Sequence, residues 1–173
     1  MYGLLAPILI QLKIELRKLF GKEVKLGWDD PISYEIKKVW VEKLQILKQA
    51  EKLRFPRHIK PSGAVGEPLL VMCNDGSQDA MCCTAHVRWE LENGEFACRL
   101  LAAKARVTPL KKQTIPRIEM QSAVMSVRLA KAIKHHMQLN FNDTVYILDS
   151  TCTLATLHKD TVALREFMGN KSY

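Results

Sequence analysis

A chain of 173 residues, 47% hydrophobic and 25% charged with only 8 glycines and 7 prolines, carries enough apolar material for a globular core and excludes collagen-like, low-complexity and disordered classes. Its 26 Lys and Arg against 18 Asp and Glu leave a formal charge of +8, which favours a polyanionic partner without naming one. The excess is local: between Arg99 and Lys134 nine basic residues stand against a single acid, Glu119, and the rest of the chain balances to zero.

The chain opens on an apolar run, Leu4 to Ile10, with no basic residue before it and Pro7 inside it, which leads into a helical pattern rather than a cleavage site. A signal peptide is not indicated. No uncharged apolar stretch reaches the roughly 18 residues of a membrane span. Leu12, Leu16, Leu19 and Phe20 share one face of a first helix, and Ile36, Val39, Trp40, Leu44 and Leu47 one face of a second. Between them Gly27 to Pro31 makes a turn, with Asp30 or Ser33 as cap for the second helix. The cluster of Pro61, Ser62, Gly63, Gly66 and Pro68 then marks a break.

Past the break the period changes to two. Leu69 to Asn74 reads as a strand ending in the turn Asp75-Gly76-Ser77. Met81 to Trp89 is a second strand with Cys83, Ala85, Val87 and Trp89 on one side. Asn93-Gly94 signals a hairpin into a third strand, Phe96 to Ala103. Pro116 to His136 is helical, with Pro116 in the first turn and Ile118, Ser122, Met125, Leu129 and Ile133 along one face, which Val124, Val127 and Ala130 widen. A β run, Thr144 to Leu148, closes at Asp149, and Ser150 or Thr151 caps a last helix running to about His158. The order is that of an α/β fold in which an antiparallel meander crosses over to a parallel strand.

The chain contains no HExxH, GxSxG, P-loop or GxGxxG. His58, His86, His135, His136 and His158 lack metal-ligand spacing, and five cysteines (Cys73, Cys82, Cys83, Cys98, Cys152) without a CxxC pair indicate neither a zinc ribbon nor a disulfide framework. A reduced, intracellular setting is the expectation.

Three acids stand out instead. Asp75 and Asp149 each follow an apolar strand, where ligand sites of open α/β sheets form, and Glu119 lies in the first turns of the long helix. If the first and fourth strands are neighbours with the helix across them, the three converge. Converging carboxylates repel unless a hard cation sits between them, and all-oxygen donors suit magnesium or manganese. Ringed by Lys and Arg, such a site suits phosphodiester chemistry. Each acid also has a local reading: Asp149 as a helix cap, Asp75 as part of an Asp-Gly turn, Glu119 as a favourable charge at a helix N-terminus.

The run Leu100 to Glu119 (LLAAKARVTPLKKQTIPRIE) resembles the signature joining the third strand to the first large helix in the ribonuclease H domain of BEL/Pao-type LTR retrotransposon polyproteins. Asn74-Asp75-Gly76-Ser77 and Leu148-Asp149-Ser150-Thr151 are similar to that family's first and third acidic motifs. Tyr2 to Pro7 and Trp28 to Pro31 are similar to the segment that joins the reverse transcriptase to it. The resemblance implies an RNase H-like three-layer α/β fold over 63–173, preceded by a helical connector over 1–62. It implies hydrolysis of the RNA strand of RNA–DNA hybrids with two Mg2+ or Mn2+ ions. Asp75 would bridge both metals, Glu119 and Asp149 would complete the shell of one, and Lys104, Arg106, Lys111, Lys112 and Arg117 would face the hybrid's phosphates. The partners implied are nucleic acid and the remainder of a polyprotein, with no membrane, in the cytoplasm or a virus-like particle.

A full domain of this type carries a further strand, helix and fourth acid. Arg165 to Tyr173 looks like the start of that helix, and Asp160 and Glu166 come too early to replace the acid. Little or no cleavage by these residues alone is therefore the expectation, with a nonenzymatic nucleic-acid-binding remnant as the alternative.

Overall fold

The structure, a computed structural model, describes residues 3–20, 26, 27, 29–56 and 58–158. The first helix, α1 (Ala6–Leu19), has Pro7 in its opening turn, where a missing N–H costs nothing. The second, α2 (Tyr34–Gln49), is capped by Ser33, whose hydroxyl accepts from the Ile36 N–H, and runs into a 3-10 turn at Ala50–Lys52. Of the two candidate caps Ser33 is the one used; Asp30 instead accepts from the Gly27 N–H at 2.6 Å and closes the preceding turn.

Strands β1 (Ala64–Gly76), β2 (Ala80–Leu91), β3 (Phe96–Val107) and β4 (Asp143–Leu148) form one sheet in the order β3-β2-β1-β4. The first three are antiparallel, and β4 lies parallel to β1 from Leu69–Asp143 to Asn74–Leu148. Helix α3 (Ile115–His136) makes the crossover and packs on β1 and β2, and α4 (Thr151–His158) follows β4. Three antiparallel strands, helix, parallel strand, helix is the RNase H-like arrangement expected.

Alternation puts Leu70 and Met72 of β1 and Cys83, Ala85, Val87 and Trp89 of β2 on the face under α3, where all are buried against Ile118, Met125, Ala130 and Ile133. Two strands are longer than the sequence indicates. β1 begins at Ala64 rather than Leu69, because Gly66 (φ +63°) and Pro68 sit in an irregularity of register between Val65 and Leu69, a bulge inside the strand instead of a loop before it. β3 continues past Ala103 to Val107, since its polar Lys104 and Arg106 pair with Cys83 and Met81 of β2. On α3, Val127 is exposed, and Met120, Ala123 and Ser126 fill the buried stripe it was expected to widen. Residues Tyr2, Trp28, Asp160, Glu166 and 165–173 lie outside the described residues.

Helix α1 packs against β3. At Gly3 (φ +83°) a Cβ would stand 1.6 Å from the Ala103 carbonyl oxygen, so only glycine admits this approach. Among the described residues no helix is long and apolar enough to cross a membrane.

Candidate active site and nucleic-acid interface

The parallel register brings the two strand-end acids to one level. Asn74 pairs with Leu148, and one residue further along each strand stand Asp75 and Asp149. Both acids are exposed. Glu119 reaches the same corner from α3: a Cβ on Gly76 would stand 3.1 Å from the Glu119 backbone nitrogen and 2.9 Å from Ile118 Cγ2. The Asp-Gly pair thus serves two ends, since only a residue without a side chain lets the first turns of α3 settle on the strand end.

Two hydroxyls hold this corner. Ser122, fully buried one turn beyond Ile118, shares its one proton between the carbonyl oxygens of Asp75 (2.8 Å) and Cys82 (2.7 Å), which are partners in the β1–β2 ladder. Ser150 accepts from the Thr153 N–H at 3.2 Å as the cap of α4 and donates to the Glu119 carboxylate, to which Thr153 adds a bond of 3.3 Å. Each acid is therefore within one residue of a contact with the next: Asp75 through Gly76 to Glu119, and Glu119 through Ser150 to Asp149.

The carboxylates do not form a closed ligand set. Asp75 folds back on the Gly76 N–H at 2.6 Å and Glu119 is engaged by the two hydroxyls. Among the described residues no group of three or more His, Cys, Asp and Glu is placed to hold a metal ion. In kind, the donors fit a hard divalent cation, being anionic oxygens only. Beside them the Asn74 side-chain oxygen is buried with no hydrogen-bond partner, a further oxygen at the same strand end.

Cys82 lies across the ladder from Asp75. Burial pushes its thiol pKa up, and the Asp75 carboxylate adds to the shift. Its neighbour Cys83, inside the core, is pushed up to about 11, mainly by burial and then by Cys82, with Lys104 opposing.

The five expected phosphate-facing residues fall on three successive segments of the chain. Lys104 and Arg106 occupy the far half of β3, Lys111 and Lys112 the loop after it, and Arg117 the first turn of α3. Lys111, Lys112, Gln113, Thr114 and Arg117 line a surface cavity of about 240 Å³ at the helix N-terminus; Lys104 and Arg106 stand outside it. Thr114 makes no side-chain capping bond there. The end of a 22-residue helix brings its positive pole to these cations.

Of the residues that build the corner, Ser122 was visible as a hydroxyl on an otherwise apolar helix face, and Ser150 as a cap. Their bonds to Asp75, Cys82 and Glu119 had no signal in the sequence.

Residues 1–150 match the family model described as Pao retrotransposon-like RNaseH-like domain. No curated protein matches the chain.

Proposed function

The chain belongs to the Pao retrotransposon-like RNaseH-like domain family, and from that premise we propose that it binds RNA–DNA hybrids along the Lys104 to Arg117 stretch and, with divalent metal, hydrolyses their RNA strand at the Asp75, Glu119 and Asp149 corner. The observation that carries this reading is that the ends of β1 and β4 and the first turns of α3 bring Asp75, Asp149 and Glu119 to one corner of the sheet, with the strongly basic stretch Arg99 to Lys134 running through it.

Mg2+ or Mn2+, when bound, supplies an activated water and charge stabilisation at the leaving oxygen. Asp75, Glu119 and Asp149 would hold it. Ser122 fixes the backbone under Asp75, so the carboxylate starts from a defined place, and Ser150 keeps Glu119 turned toward the end of β4. Lys111, Lys112 and Arg117 take up phosphates in the cavity at the α3 N-terminus. Such contacts read backbone and groove shape, so little dependence on base sequence follows.

A second reading, binding without cleavage, is favoured by the engagement of Asp75 and Glu119 with protein donors. One experiment separates the two. The full chain is incubated with a labelled RNA–DNA hybrid and Mg2+ or Mn2+, beside Asp75→Asn and Asp149→Asn, while retention of the hybrid is followed across a salt series. Cleavage lost in both variants supports the nuclease. Intact hybrid retained with a steep salt slope supports binding alone, and the Lys111→Ala/Lys112→Ala variant should flatten that slope by about 2 units. Cleavage that survives Asp75→Asn removes the acids from the reading, and absence of both cleavage and retention removes the reading itself.

A further inference from the structure

Arg17 lies in the last turn of α1, 62 and 91 residues from the two residues it holds. Its guanidinium donates to the Thr108 carbonyl and hydroxyl oxygens, each at 2.8 Å, and to the Asp79 carboxylate at 2.8 Å. Thr108, almost fully buried, donates its own hydroxyl to the Gln78 carbonyl and its N–H to the Asp79 carbonyl at 3.0 Å. One side chain thereby ties together three segments: α1, the β1–β2 turn that follows Asp75 and Gly76, and the point where β3 ends.

What begins at Thr108 is the basic loop. Its far end is pinned as well, since Gln78 donates to the Gln113 carbonyl at 3.3 Å and Gln121 of α3 to the Gln113 side-chain oxygen at 2.7 Å. Between these pins Pro109 to Lys112 are exposed, Leu110 at 70%. A loop with exposed lysines and no packing of its own holds a shape only through its ends. Lysines already held near their binding position lose less freedom when phosphate arrives.

We infer that Arg17 is a positioning residue for this interface: by holding Thr108 and Asp79 it fixes the loop 109–114 in the shape with which Lys111 and Lys112 meet nucleic-acid phosphates. The inference rests on the hybrid-binding reading above. It makes the helix ahead of the sheet a working part of the interface rather than a tether.

The test measures affinity of the full chain for a labelled RNA–DNA hybrid at fixed salt. Arg17→Lys keeps the charge but replaces the planar fork, whose Nη1 serves Thr108 and whose Nη2 serves Asp79, with a single shorter ammonium that cannot reproduce that two-ended grip. It should weaken binding about tenfold through lost preorganisation. Combined with Lys111→Ala/Lys112→Ala, it should add almost nothing, because the side chains it positions are gone. Asp79→Ala, which on net charge alone tightens binding to a polyanion, should weaken it instead. In the free protein, amide hydrogen exchange should quicken at 110–114 in Arg17→Lys and stay unchanged at Val87 in β2.

Unchanged affinity in Arg17→Lys, full additivity with the lysine variant, or tighter binding by Asp79→Ala overturns the inference. If the wild-type chain shows no salt-dependent affinity for the hybrid, the hybrid-binding reading fails and the inference falls with it. The exchange data tell the cases apart: quickened loop exchange without hybrid binding marks failure of the reading, whereas unaltered loop exchange in a chain that binds marks failure of the positioning role.

Discussion

Met72 in β1 and Leu44 in α2 both occupy regular apolar positions, yet Met72 is fully buried and Leu44 is 48% exposed. The contrast extends to their elements. Helix α3 lies across β1 and β2 and buries eight residues, whereas α1 and α2 contain no fully buried residue, and α2 packs chiefly on α1. An apolar stripe of helical period appears in both α2 and α3; burial depends on whether a sheet lies beneath it. The two halves are therefore held by different forces. The sheet and α3 rest on apolar packing, while α1 is tied to the sheet by the close approach at Gly3 and the Arg17 clamp, and α2 is joined to α1 by contacts that include Lys43 to Gln11 at 3.3 Å.

The largest expected effect tests that division directly. Met72→Ala should destabilise the protein by about 2–5 kcal/mol in equilibrium urea unfolding, from lost burial and the cavity left behind. Leu44→Ala should change it by no more than about 0.5 kcal/mol. Equal losses would mean that α2 is packed as tightly as β1.

At the seam between sheet and helix the cost is intermediate. Gly76→Ala drives a methyl group against Ile118 and the Glu119 backbone and should cost about 1–3 kcal/mol. Ser122→Ala leaves the Asp75 and Cys82 carbonyls without their shared donor and should also cost about 1–3 kcal/mol. In both, any cleavage activity should fall more than thermal stability predicts, because Asp75 and Glu119 lose their common support. A fall in stability alone would leave these residues as ordinary packing.

Within the sheet, thiol reactivity grades core against surface. Cys98 is exposed and should be alkylated first at pH 8; Cys82, whose pKa burial and Asp75 raise, should follow more slowly. Cys83, buried and pushed up to about 11, should react only as the protein unfolds. Peptide mapping after a timed alkylation reads the order, and early labelling of Cys83 would show the core opening locally.

The smallest effect is on pH. Burial lowers the His86 pKa below its ordinary 6.5, so the folded protein takes up that proton less readily than the unfolded chain. Stability is then fully present above about 6.5 and declines as pH falls through the lowered value. His86→Gln should flatten the dependence of Tm on pH just below about 6.5 relative to wild type; identical curves would remove His86 as its source.

Much of the fold was legible because its signals are local. Cys83, Ala85, Val87 and Trp89 alternate because one face of β2 is buried, Asn93-Gly94 makes the β2–β3 turn with Gly94 at φ +79°, and Ser33 and Ser150 cap helices through their own following turns. The same locality misled at Gly66 and Pro68, whose turn chemistry serves a bulge inside β1. It also cut β3 short at Ala103, where alternating Lys104 and Arg106 resemble a loop until β2 pairs with them.

The sequence by itself determined the strand-end positions of Asp75 and Asp149, the isolation of Glu119 among cations and the local character of the +8 charge, since each is a matter of pattern along the chain. Only the tertiary structure decided that β1 and β4 run parallel in the register that levels the two aspartates, that Gly76 admits Glu119, that Ser122 and Ser150 bind the corner together, and that Arg17 reaches the basic loop. The reason is physical. Burial repeats with the period of a helix or strand and so marks the sequence, whereas a single hydrogen bond between residues far apart in the chain repeats with nothing and exists only once the chain has folded.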